Sequence, residues 1–115
     1  DGSKCTLESF CEMIARTAEM MGINHIGIGS DLCQDQPDSV VEWMRVGRWT
    51  KDIDYGEGSA ANAGFPPMPS WFEDNRHFDA IAAGLRQQGF SDTDVAGIMG
   101  ENWLSFYDSS FGPSA

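Results

Sequence analysis

From Leu7 onward the apolar positions Leu7, Phe10, Cys11, Ile14, Ala18 and Met21 recur at steps of three and four. That spacing puts them on one face of an α-helix. Thr6 stands where an N-cap belongs, and Gly22 where a helix stops, with Ile23 placed to fold back as in a Schellman motif. The next apolar run, "HIGIGSD" (His25–Asp31), is too short for a helix and alternates Ile26 and Ile28 with Gly27 and Gly29. It is predicted to be a strand, apolar on both faces. Glycines at that period let backbone or a ligand approach one face closely. A helix running directly into such a strand is the repeat unit of an α/β protein.

Between residues 32 and 70 the periodicity lapses. Pro37 and Asp38 can start a short helix through "SVVEWMRV" (Ser39–Val46), which Gly47 stops. The stretch "DYGEGSAANAGFPPMP" that follows has the Gly, Pro, Ser and Ala content of a linker. Yet Trp43, Trp49, Tyr55, Phe65, Met68 and Trp71 are too many large apolar side chains for one. A long loop with its own hydrophobic payload is usually packed and often functional. We read 32–70 as a structured excursion that covers something.

The last third returns to helical spacing. Phe78, Ile81, Ala82 and Leu85 share a face, and Gly89 is the stop. "SDTD" (Ser91–Asp94) has the form of a capping box. Val95, Ile98 and Met99 continue from it, Gly100 and Asn102 interrupt, and "WLSFY" forms a final turn or helix before a frayed "FGPSA". No repeat at solenoid spacing is present.

Composition narrows the function classes. At 115 residues there is room for one domain at most, and 41% hydrophobic with 22% charged residues is globular. Eighteen acids against seven bases give a net charge of −11. That excludes nucleic acid and anionic membrane surfaces as partners, since both need clustered Lys and Arg. No run approaches the roughly 18 apolar residues of a membrane span, and no signal segment opens the chain. A first residue of Asp1 rather than Met suggests a processed product, a deliberate truncation or a piece of a longer protein. Cys5, Cys11 and Cys33 are odd in number and form no CxxC, so they read as reduced, partly buried thiols in a cytoplasmic setting.

A single strand cannot satisfy its own backbone groups. The expectation is therefore a slice of a larger sheet rather than a self-sufficient domain. Such a strand would end on Asp31, and in open sheets and β/α barrels the chemistry lies beyond the carboxyl ends of the strands. Two readings compete there: Asp31 caps a turn, or it stands at a reaction site as a metal ligand, a proton acceptor or an anchor for a substrate ammonium.

"GINHIGIGSDLC", and after it "FEDNRHFDAIAAGLRQQGFSDTDVAGIMGENWLSFY", resembles the carboxyl-terminal end of the membrane (renal) dipeptidase family of zinc metallopeptidases. The strand block runs from Gly22 to Asp31. The helical block runs from Glu73 to Tyr107 and includes Gly89-Phe90-Ser91, Gly100, Asn102 and Leu104. The resemblance implies an α/β fold: residues 1–115 would be the C-terminal helix–strand–helix segment of a (β/α)8 amidohydrolase-like barrel, with 32–70 the long loop after its last strand. It implies two zinc ions and metal-activated water that hydrolyses dipeptides, some with a D-residue on the carboxyl side. Asp31 matches the family's last-strand aspartate, which implies a catalytic and substrate-binding residue close to the metals and a candidate ligand. The family's His-x-Asp, bridging Glu, two further histidines and arginine have no match here. Zinc would be held mostly by the N-terminal remainder of the barrel, on the same or another chain, and this segment alone would be inactive. A homodimer is a further partner the family leaves open.

The remaining polar residues have structural readings. His25 lies at the amino end of the predicted strand and His77 where a helix begins, so packing or solvation outweighs metal binding for both. Asn102 is expected to bond helix ends to neighbouring backbone. Glu73 and Asp74 suit a helix amino terminus, and Asp35 and Asp38 a turn with a helix cap. Trp43, Met44 and Trp49 line a pocket or subunit contact, or pack the excursion itself. The rival to the enzyme is a non-catalytic acidic helical fragment or binding module.

Overall fold

The computed structural model describes residues 2–49, 52–53 and 56–112. Tyr55 and most of the terminal "FGPSA" therefore lie outside the described residues. The chain divides into two units, one of residues 6–31 and 76–115, the other of residues 1–5 and 32–75.

The first unit is built on α1 (Leu7–Met21), the helix expected from the apolar spacing. Thr6 caps it: its Oγ1 accepts the Ser9 N–H at 3.1 Å. Gly22 ends it at φ +87°, and its N–H donates to the Ala18 carbonyl at 2.9 Å. With ψ at 140° the chain leaves the helix and then winds a 3-10 turn, Ile23–His25. α1 packs against α3 (Phe78–Gln87): Cys11 and Ile14 are buried on one, Ile81 and Leu85 on the other. Gly84 permits their approach, because a Cβ there would come within 2.7 Å of the Cys11 sulfur. The Schellman motif forms at the end of α3. Gly89 takes φ +93°, its N–H bonds to Arg86, and the Phe90 N–H bonds to Leu85 at 3.2 Å.

α4 (Asp92–Ala96) opens with a complete capping box: the Ser91 side chain accepts from the Asp94 N–H, and the Asp94 carboxylate from the Ser91 N–H. A π-helical turn, Gly97–Glu101, follows, with non-helical backbone at Gly100. It leads into α5 (Asn102–Phe111). Val95, Ile98 and Ile26 join the α1–α3 residues as the buried apolar set of this unit.

The strand predicted over His25–Asp31 is not formed. The described residues hold helices and turns, no strand and no sheet beyond one isolated bridge, Ser59 with Asn62. This overturns the α/β reading of the chain as a helix–strand–helix segment of a (β/α)8 barrel; its described structure is all-helical. The physical reason lies in pairing. Ile26 does adopt extended backbone, φ −113° and ψ 135°, but a strand exists only through hydrogen bonds to a neighbouring strand. No described segment supplies one, and side chains take carbonyls of this stretch instead.

The second unit contains α2 (Ser39–Val46), the short helix expected there, with Gly47 after it. The excursion is structured by long-range bonds. Ser3 gives both its N–H and its hydroxyl to the Glu57 carboxylate, at 2.7 and 2.6 Å. The Trp71 indole N–H bonds to the Cys5 carbonyl at 2.8 Å. Phe72 is buried, with its ring 5.7 Å from that of Trp71. Asp38 does not cap α2 with its side chain; its carboxylate accepts the Phe65 N–H instead. Trp43 and Trp49 stay 68% and 79% exposed, so they do not pack the excursion. Arg48 lies over the Trp49 ring at 4.6 Å.

Candidate functional site

The segment that leads to Asp31 is held by helix α5. α1 delivers the chain to Gly22, the 3-10 turn follows, and Ile26, in extended backbone, has its side chain in the core. Asn102, half-buried at the head of α5, donates both protons of its amide nitrogen: one to the Ile23 carbonyl at 2.9 Å, one to the Ile26 carbonyl at 2.8 Å. This is the structural role expected for Asn102. The next residue, Trp103, donates its indole N–H to the Ile28 carbonyl at 3.2 Å. Its ring lies against Gly27 so closely that a Cβ there would fall within 2.7 Å of Trp103 Cδ1. Gly29 has nothing within 4 Å of such a Cβ. The close approach expected of these alternating glycines is thus real at one of them, and an indole makes it.

Asp31 itself is exposed and sits at φ +49°; Asp35 follows at +57°. This left-handed region is costly for residues with a side chain, on the order of 1 kcal/mol or more each, and Asp tolerates it better than most. Two such residues flank the point at which one unit ends and the other resumes.

An open groove of about 370 Å³ lies beside the segment, lined by Asn24, His25, Gly27, Trp103 and Phe106 among others. His25 is exposed on it, and Asp31 is not part of its lining. His77 is half-buried in the 3-10 turn Asn75–His77 before α3. The acid in the first turn of α3 is Asp79, so Glu73 and Asp74 lie one turn ahead of the helix whose amino terminus they were expected to favour. Cys11 is buried, and burial pushes its thiol above the ordinary value; Cys5 is half-buried and Cys33 exposed.

The described residues contain no group of three His, Cys, Asp or Glu side chains able to hold a metal ion. What the structure does bring together is the two sequence blocks, Gly22–Asp31 and the stretch around Asn102, through three side-chain hydrogen bonds. The reading of the sequence missed Trp103 as a partner of Gly27 and Ile28. The one available signal was the glycine alternation, which asked for a neighbour without naming it.

No protein family, curated protein or solved structure matches the chain. No helix among the described residues is long and apolar enough to cross a membrane.

Proposed function

We propose that the chain is the C-terminal part of a zinc-dependent dipeptidase, with Asp31 as its contribution to the reaction site. The observation that carries this reading is the contact between the two blocks that resemble that family. Asn102, from the second block, bonds the carbonyls of Ile23 and Ile26 in the first, 79 and 76 residues away in sequence. Two blocks related only by resemblance had no need to touch.

Peptide hydrolysis requires that water lose a proton as it adds to the carbonyl and that the departing amine gain one. A carboxylate beside the scissile bond suits both transfers, and it suits the ammonium group of a dipeptide as well. Asp31 is assigned those tasks. Zinc belongs to the proposal through ligands outside these 115 residues, and Asp31 is metal-proximal rather than one of an assembled set. The chain by itself is inactive. The thiols fit a reducing, cytoplasmic setting.

A second reading is favoured by one observation: the first unit buries an apolar core between its own helices. On that reading the chain is a non-catalytic acidic helical module. Joining the chain to its native upstream polypeptide separates the two. With zinc present, the joined protein is expected to hydrolyse dipeptides, including one with a D-residue on the carboxyl side, while the chain alone does not. A joined, folded and zinc-loaded protein without dipeptidase activity overturns the proposal.

A further inference from the structure

We infer that Asn102 is a positioning residue for Asp31: the head of α5 fixes, through side-chain N–H donors, the segment that presents this carboxylate. The inference rests on the reading of Asp31 as the reaction-site acid, but its structural half stands by itself.

The geometry is specific. The stretch from the 3-10 turn at Ile23 to Ile28 has no strand partner among the described residues, and its carbonyls need donors from elsewhere. Three of them are met from one helix end, Ile23 and Ile26 by the two protons of the Asn102 amide and Ile28 by the Trp103 indole. These anchors come at intervals along the approach to Asp31, the last three residues before it. Only an amide or a longer cationic group has two protons on one nitrogen to divide between two carbonyls. Aspartate has the same shape and neither proton.

The helix is adapted to this use. The π-helical turn Gly97–Glu101 precedes Asn102, whose own N–H closes it on the Gly97 carbonyl. Such a turn adds a residue to the helical register and occurs often at functional positions. Gly97 leaves the space the amide occupies, since a Cβ there would lie 3.0 Å from Asn102 Oδ1. Ile98, next to it, is fully buried and anchors the turn to the core. The sequence Gly97-Ile98-Met99-Gly100-Glu101-Asn102-Trp103 is thus a device for aiming two donors at one backbone segment.

Asp31 is held at φ +49°. With the carbonyls of Ile26 and Ile28 fixed, few residues remain through which the chain can relax before the aspartate. Released from these anchors, residues 26–28 gain freedom, and the left-handed backbone of Asp31 is expected to be populated less. A reacting group displaced by about 1 Å loses on the order of 100-fold in rate.

The test uses the full 115-residue chain and a readout that packing alone would not move. NMR follows the intraresidue HN–Hα contact of Asp31, short in the left-handed conformation, and the backbone order of residues 26–31. Methyl signals of Ile81, Leu85 and Ile98 report the core. In Asn102→Asp and Asn102→Ala the Asp31 contact is expected to weaken and the order to fall, with the core signals in place. Failure of the isosteric Asn102→Asp to rescue separates donation from space-filling. Should the core signals collapse in both, Trp103→Phe decides: it keeps a ring over Gly27 and removes one donor, and loosening of 28–31 is expected. An unchanged Asp31 in the folded Asn102 variants, or in Trp103→Phe where those do not fold, overturns the inference. In the zinc-loaded joined protein, Asn102→Asp is expected to lower kcat about 10- to 100-fold with KM little changed. Full activity in Asp31→Asn there would refute the dipeptidase role of Asp31 and leave the NMR result to judge Asn102 separately.

Discussion

Gly27→Ala tests the contact on which the site's geometry depends. The added methyl group would overlap the Trp103 indole, with Cδ1 at 2.7 Å and Cε2 at 2.9 Å, so the ring must move. Movement breaks its N–H bond to the Ile28 carbonyl, now 3.2 Å. A lost hydrogen bond of this kind costs about 1 kcal/mol, and overpacking a close contact about 1–3 kcal/mol. Trp103 is 41% exposed and can swing toward solvent. That places the sum near the low end, about 2 kcal/mol. For a unit of this size the melting temperature should fall by about 10 °C. Gly29→Ala is the internal control, since a Cβ there meets nothing within 4 Å, and it should change stability by less than about 0.5 kcal/mol. Thermal and urea melts give the energies, and the Trp103 indole N–H resonance reports the ring. Equal stability for the two variants, with that resonance unshifted, would refute the contact.

Other consequences are equally direct. Leu85→Ala empties a position with no exposed surface and should cost about 2–5 kcal/mol, read from urea melts; a loss below about 1 kcal/mol would contradict the buried α1–α3 pairing. Glu57 is held below its ordinary value of 4.5, first by the Ser3 hydroxyl and then by the Ser3 N–H. A depressed carboxylate contributes stability above its unfolded pKa and loses it as pH falls through the folded one. The Ser3 amide should therefore stay protected at neutral pH and be released only in acid below the ordinary carboxylate range, as NMR titration would show; release near pH 6 would contradict the bond. Under native conditions iodoacetamide should label Cys33 and spare Cys11, which is buried with a raised thiol pKa; mass spectrometry after partial modification gives the order, and early labelling of Cys11 would contradict its placement.

Local signals carried much of the fold. The Leu7–Met21 helix, its Thr6 cap, the short Ser39–Val46 helix and the Ser91–Asp94 box all rest on contacts three or four residues apart, which spacing alone specifies. The strand failed because its existence depends on a neighbour that no local pattern can guarantee. Gly22 and Gly89 show the same limit in miniature. Both are helix stops at positive φ, yet only Gly89, with Phe90 returning to Leu85, closes the Schellman loop. Asp38 had the chemistry of a cap and gave its carboxylate to Phe65, 27 residues on. At the site, Asn102 was legible as a backbone-bonding residue, whereas the Trp103–Gly27 contact spans 76 residues and leaves no periodic trace.

The central claim is that Asp31 moves protons at a peptide bond under hydrolysis. Turnover of a dipeptide by the zinc-loaded joined protein, compared between wild type and Asp31→Asn, tests it most directly. The account predicts a fall in kcat of about 100-fold or more, with zinc content unchanged and a melting temperature close to that of wild type. Undiminished turnover in Asp31→Asn, or a loss of activity that tracks only the fraction unfolded, would contradict it.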